Sequence, residues 1–230
     1  MWEELQHQFM KYFVIEGRSD WWINGMKTTI LVTLLALAVG VVLGFAVALI
    51  RSTYERSGKL KILNFVCKIY LTVIRGTPSM IQLLIFYLII FASVRVDEII
   101  VGGIAFGVNS GAYVAEIVRS GIMSIDKGQT EAGRSLGLNY NQTMRLIIMP
   151  QAFKNVLPAL INEMIVLLKE TAIIGYIGTV DITKAASLVQ SRTYSAYVPL
   201  FSAAIFYLVL VSILTYFMGR LDRRLRKNEQ

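Results

Sequence analysis

Residues 28–50 read TTILVTLLALAVGVVLGFAVALI, 23 residues without a single charge. A helix rising about 1.5 Å per residue needs roughly 20 apolar residues to cross a hydrocarbon core of about 30 Å. This stretch therefore reads as a spanning helix. Residues 76–94 and 193–219 are likewise free of charge, and 99–115 is a slightly shorter run of the same kind. Charged residues make up 17% of the 230-residue chain, against about 25% in an ordinary soluble domain. The fold class expected is an all-α integral membrane protein.

Five spans are expected, at about 22–50, 78–93, 99–121, 156–177 and 197–220, in one membrane domain covering 1–230. Pro78 suits the first turn of span two. Between the first two spans, Leu60 to Ile74 mixes cations with apolar residues, as a helix lying at the membrane surface does. Span four is the least apolar, since it holds Glu163, Lys169 and Glu170. Gly40 and Gly44 in span one form a small-residue pair that permits close helix contact. Trp21, Trp22, Tyr194 and Tyr197 read as interfacial anchors. The first apolar run is too long for a signal peptide and is expected to be retained.

The net charge of +8 is no nucleic-acid signature, because the cations sit between and after the apolar runs. Residues 51–75 hold six Lys and Arg, 119–154 hold five, and the tail Arg220 to Lys227 holds five of the chain's 23. With five spans these three regions share one side, and the positive side is cytoplasmic. The N-terminus is then outside and the C-terminus inside. One Cys (Cys67) and one His (His7) exclude an intrachain disulfide and a Cys/His metal cluster.

The segment between spans three and four, residues 125–155, is the longest polar interruption. It reads Glu131-Ala132-Gly133, three residues, Gly137, nine residues, then Ile147-Ile148-Met149-Pro150. Asp126 followed by Gln129 forms a capping pair, and Gly137 is a C-terminal stop. A short helix with Ala132 and Gly133 on its surface is predicted between them. The spacing resembles the EAA loop of permease subunits of ATP-binding-cassette (ABC) importers, with Gly133 for the third Ala and Met149 for Leu. Gly25 to Thr29, Arg75 to Pro78, Gly111 to Ile117, Lys127 to Gln129 and Pro150 to Ala152 resemble, in order, the polar amino-acid branch of that family.

The resemblance implies a type I ABC importer permease fold with a cytoplasmic coupling helix, in a prokaryotic cell membrane. It implies a non-catalytic subunit with no cofactor of its own. ATP and Mg would be bound by partner ATPase subunits, and the chain indeed lacks a Gly-x-x-x-x-Gly-Lys-Ser/Thr phosphate loop. The other implied partners are a second copy or a related permease, an extracytoplasmic solute-binding protein, an amino acid and membrane lipid. Glu131, Ala132, Gly133, Ser135 and Gly137 would form the ATPase-coupling site.

Ionisable groups inside a membrane are costly and mark pathways or pairs. Asn109, Tyr113, Glu116 and Ser120 fall on one face of span three, which reads as pore lining or as interhelical hydrogen bonding. Glu116 is expected to pair with Arg119 or Arg75. In span four, Asn162 and Glu163 lie near mid-membrane, one turn after Pro158, and Lys169 reaches Glu163 only with difficulty. A transported cation is one partner for Glu163; a structural ion pair or a protonated carboxyl is the other reading. With Gln82 of span two, the expected substrate site is Glu163, Asn162, Asn109, Tyr113 and Gln82. The expected substrate is a basic amino acid such as arginine, lysine or histidine. The alternatives are a neutral one such as glutamine, or an ion-coupled secondary transporter.

Overall fold

The charge-free run 28–50 forms the middle of α2 (Arg18–Ser57), a helix of 40 residues bounded by left-handed glycines, Gly17 at φ 70° and Gly58 at φ 66°. At about 1.5 Å per residue α2 is about 60 Å long, so its polar ends project beyond an apolar layer of about 30 Å. The computed structural model describes residues 2–226; Met1 and residues 227–230, which include Lys227 of the basic tail and the C-terminus, lie outside the described residues. The regular elements among the described residues are all helical. Before α2 comes α1 (Trp2–Phe9), and after it α3 (Lys61–Gly76), α4 (Ser79–Ile85), α5 (Glu98–Met123) and α6 (Lys127–Ser135). Then follow α7 (Tyr140–Thr143), α8 (Met149–Glu170), α9 (Ile182–Thr193) and α10 (Tyr197–Arg226).

Helices α2, α5 and α10 each contain a stretch long and apolar enough to cross a membrane. The α3 and α4 pair, bent by 112° at the Thr77–Pro78 corner, passes the same test as one broken unit. Helix α4 continues as a wider turn over Phe86–Ile90 and stops short of Ser93, so the second apolar run is shorter as a helix than its sequence. Helix α8 has 22 residues, about 33 Å, but its Glu163, Lys169 and Glu170 keep it out of that apolar set.

The seam between α2 and α5 rests on glycine. A Cβ on Gly44 would fall 2.5 Å from Val114 Cβ, and one on Gly107 would fall 2.6 Å from Val39 Cβ. Gly40 and Gly44 of α2 and Gly103, Gly107 and Gly111 of α5 thus let the two backbones approach closely, as small residues do where no water drives helices together. Val32, Ala36, Ala105 and Phe106 pack beside this seam with Leu83 and Leu167.

Two features depart from the sequence reading. The segment between Gly178 and Ala196, a connection between the fourth and fifth expected spans in which no helix was expected, holds α9, capped by Asp181, whose buried carboxylate accepts from Thr183 N, Lys184 N and Tyr207 Oη. Ala185, Ala186 and Val189 bury one face of α9 against Tyr12, Trp22 and Ala203. Trp22 is therefore a core residue, 3% exposed, its Nε1 donating to Tyr12 O at 3.2 Å. Tyr194 and Tyr197 are exposed, as anchors would be.

Candidate functional site

Helices α5 and α8 line an open cavity of about 580 Å³, to which the end of α3 contributes Arg75. Asn155, Ala159 and Glu163 line it from α8 at a spacing of four, one face of that helix. Tyr113, Glu116 and Ser120 line it from α5, and Arg75 from α3. Three of the four polar residues expected on one face of span three thus do share a cavity wall. Gly121, also in the lining, lets α5 and α8 approach closely there, since a Cβ on it would collide with Val156.

Glu163 is 9% exposed. Its Oε1 accepts from Ser110 Oγ at 2.8 Å. None of the ion pairs among the described residues includes it. Lys169, two turns along α8, is exposed and takes no part in those pairs either. A carboxylate this enclosed, with one hydroxyl donor, has bonding capacity left for a cation or a proton.

Glu116 is satisfied. It meets Arg51 Nη1 at 3.0 Å, with Arg75 at 3.9 Å and Arg119 at 4.0 Å. Arg75 and Arg119 were expected; Arg51, 65 positions away, is the close partner and was missed, since it reads as the first charge after an apolar run. The Arg75 guanidinium also lies 5.6 Å from the Tyr113 ring centroid, within cation–π range.

The remaining expected substrate residues are elsewhere. Asn109 and Gln82 are buried and bonded to each other, Asn109 Nδ2 donating to Gln82 Oε1 at 2.9 Å. Gln82 Nε2 in turn donates to Ile74 O, Thr77 O and Thr77 Oγ1. The pair ties the α3–α4 corner to α5, which is the interhelical hydrogen-bonding alternative. Asn162 is exposed and absent from the cavity lining, because the position next to Glu163 is rotated by about 100° on a helix. Ser110, the partner of Glu163, was not singled out; a hydroxyl between Gly107 and Gly111 was its signal.

Helix α6 starts and stops where expected, with Asp126 itself, rather than an Asp126–Gln129 pair, as its cap. Asp126 accepts from Gly128 N at 2.6 Å. At the far end Leu138 N donates to Gly133 O and Gly137 N to Arg134 O, with Gly137 at φ 79°, a Schellman stop. Glu131, Ala132 and Ser135 are exposed, and Leu136 is 78% exposed. Gly133 is not on that surface. It is buried, and a Cβ there would meet Thr143 Cγ2 at 2.7 Å. It seats α6 on the following hairpin, whose α7 opens with a capping box between Asn139 and Gln142.

Residues 40–227 match the family model described as binding-protein-dependent transport system inner membrane component. The chain is 36% identical over 209 residues to the arginine transport system permease protein ArtQ of Bacillus subtilis, covering 90% of this chain and 93% of that one. It is 33% identical over 207 residues to the glutamine transport system permease protein GlnP of Escherichia coli, covering 89% and 92%. A solved amino acid ABC transporter, crystallised with histidines, has a chain 39% identical with a TM-score of 0.84, covering 93% of this chain and 98% of that chain.

Proposed function

Because the chain belongs to the binding-protein-dependent transport system inner membrane component family, we propose that Glu163 selects a basic amino acid inside a permease of this class. The chain is the permease subunit of an amino-acid ABC importer. It is non-catalytic, and ATP hydrolysis is the work of a separate ATPase. In our reading the chain has the type I importer fold and crosses the cell membrane five times, N-terminus outside and C-terminus inside. It pairs with a second permease chain and receives its substrate from an external binding protein.

One observation carries the substrate reading: Glu163 is buried at a cavity wall with Ser110 as its bonded partner and no ion-pair partner among the described residues. A carboxylate left so costs several kcal/mol, and a cationic side chain offsets that cost. Arg75, on the opposite rim and shared with Glu116 at 3.9 Å, suits the substrate's α-carboxylate better than the exposed Asn162. Glutamine remains the second reading, because relatives named for glutamine match nearly as well as the one named for arginine. The exposed face of α6, with Glu131, Ala132, Ser135 and the neighbouring Leu136, is the surface that docks on the ATPase. Gly133 and Gly137 support it from behind and from its end.

The test is arginine uptake by the reconstituted importer carrying Glu163→Gln. Removing one partner of a buried charge pair costs about 2 kcal/mol or more, so uptake at limiting substrate falls about 30-fold while assembly with the ATPase is kept. Unchanged arginine uptake by an assembled variant overturns the assignment.

A further inference from the structure

We propose that the groove between the Ser57 end of α2, the far end of α5 and the α7–α8 hairpin binds an anionic glycerophospholipid. The groove has a volume of about 510 Å³. Its floor is apolar, with Phe45 and Leu49 from α2 and Val118 and Ile122 from α5. Its rim carries Lys59, just past the left-handed Gly58, and Arg145, in the turn after α7.

Two features single out these cations. Arg51, Arg75 and Arg119, at the same end of the bundle, are all engaged with Glu116 or Glu55. Lys59 and Arg145 come from different elements, converge on one groove, and form no ion pair among the described residues. Glu55, the acid nearest in sequence to Lys59, reaches Arg119 at 3.6 Å instead.

The groove also straddles a boundary. The charge-free run of α2 ends at Ile50, so Phe45 and Leu49 lie level with acyl chains and Lys59 level with headgroups. Leu49 is 62% exposed, leaving the apolar floor open toward the membrane. A phosphodiester over Lys59 and Arg145 with an acyl chain along Leu49 matches both halves. Basic pockets between spanning helices on the cytoplasmic side hold anionic headgroups by the same physics. The inference rests on the orientation proposed above and is independent of the substrate.

The experiment uses the assembled importer, delipidated and placed in micelles with equal phosphatidylglycerol and phosphatidylcholine, with bound lipid read by native mass spectrometry. The wild type retains phosphatidylglycerol over phosphatidylcholine by about tenfold, each nearby cation contributing several-fold. Lys59→Gln with Arg145→Gln abolishes that preference at an unchanged melting temperature. Lys127→Gln, a cation on α6 outside the groove, preserves it. Glycerol phosphate at equal concentration leaves the bound lipid in place. An undiminished preference in the double variant, an equal loss in Lys127→Gln, or displacement by glycerol phosphate overturns the proposal; the last marks a site for free phosphate esters.

Discussion

Helix α5 has two faces built on opposite plans. Toward α2, Gly103, Gly107 and Gly111 bring the backbones together until a Cβ has no room. Toward α8, Tyr113, Glu116 and Ser120 hold the neighbour off and leave about 580 Å³ of space. One face is a fixed seam and the other is a lined opening, so one helix serves as both wall and frame. Ser110 sits at the border. A Cβ on Gly40 would lie 3.0 Å from Ser110 Cβ, while the Ser110 hydroxyl donates to Glu163. The seam thereby sets the position of the carboxylate in the cavity.

The largest effect is expected on the seam. Gly107→Leu forces a side chain into Val39 and destabilises the chain by about 3 kcal/mol, the upper range for overpacking. The melting temperature of the assembled importer should drop by several degrees; an unchanged value would mean that the seam is looser than its glycines imply. Next comes the border. Ser110→Ala removes a hydrogen bond to a charged group, about 2 kcal/mol, and should lower arginine-stimulated ATPase activity more than tenfold, with a smaller drop in melting temperature than Gly107→Leu. A drop in melting temperature without loss of stimulation would make Ser110 part of the seam alone.

Smaller effects belong to the rim and the loop. Arg75→Gln weakens the half-exposed residue proposed to hold the α-carboxylate, with an expected rise in KM of about fivefold, about 1 kcal/mol. A KM that does not move removes Arg75 from the site. On α6, Ala132→Trp should cut the coupling of ATP hydrolysis to uptake severalfold with the fold intact, whereas Gly133→Leu should expose the α6–α7 hairpin to protease. Equal behaviour of the two variants would deny that α6 has a docking face and a packing face.

Much of this was legible from residues alone, and the failures share a cause. Runs without charge, the capping of α6 by Asp126 and the stop at Gly137 are local patterns, and the structure reproduces them. The all-helical class follows from the same runs. Long-range pairing was not legible: Arg51 with Glu116, Asn109 with Gln82 and Ser110 with Glu163 join residues 27 to 65 positions apart. Faces were not legible at single-residue resolution: Asn162 is exposed one step from Glu163 on the cavity wall, and Gly133 is buried one step from the exposed Ala132. Helix α9 was missed because its buried face is mainly small residues, Ala185 and Ala186, which carry little apolar contrast.

The central claim is that the Glu163 charge selects a cationic side chain in the membrane. Uptake of arginine and of citrulline, its neutral isostere, should be compared in wild type and Glu163→Gln with the same binding protein delivering both, so that delivery cancels between the two permeases. The account predicts that the arginine-to-citrulline ratio falls at least tenfold in Glu163→Gln, about 1.4 kcal/mol of lost discrimination. An equal ratio in the two permeases would contradict it.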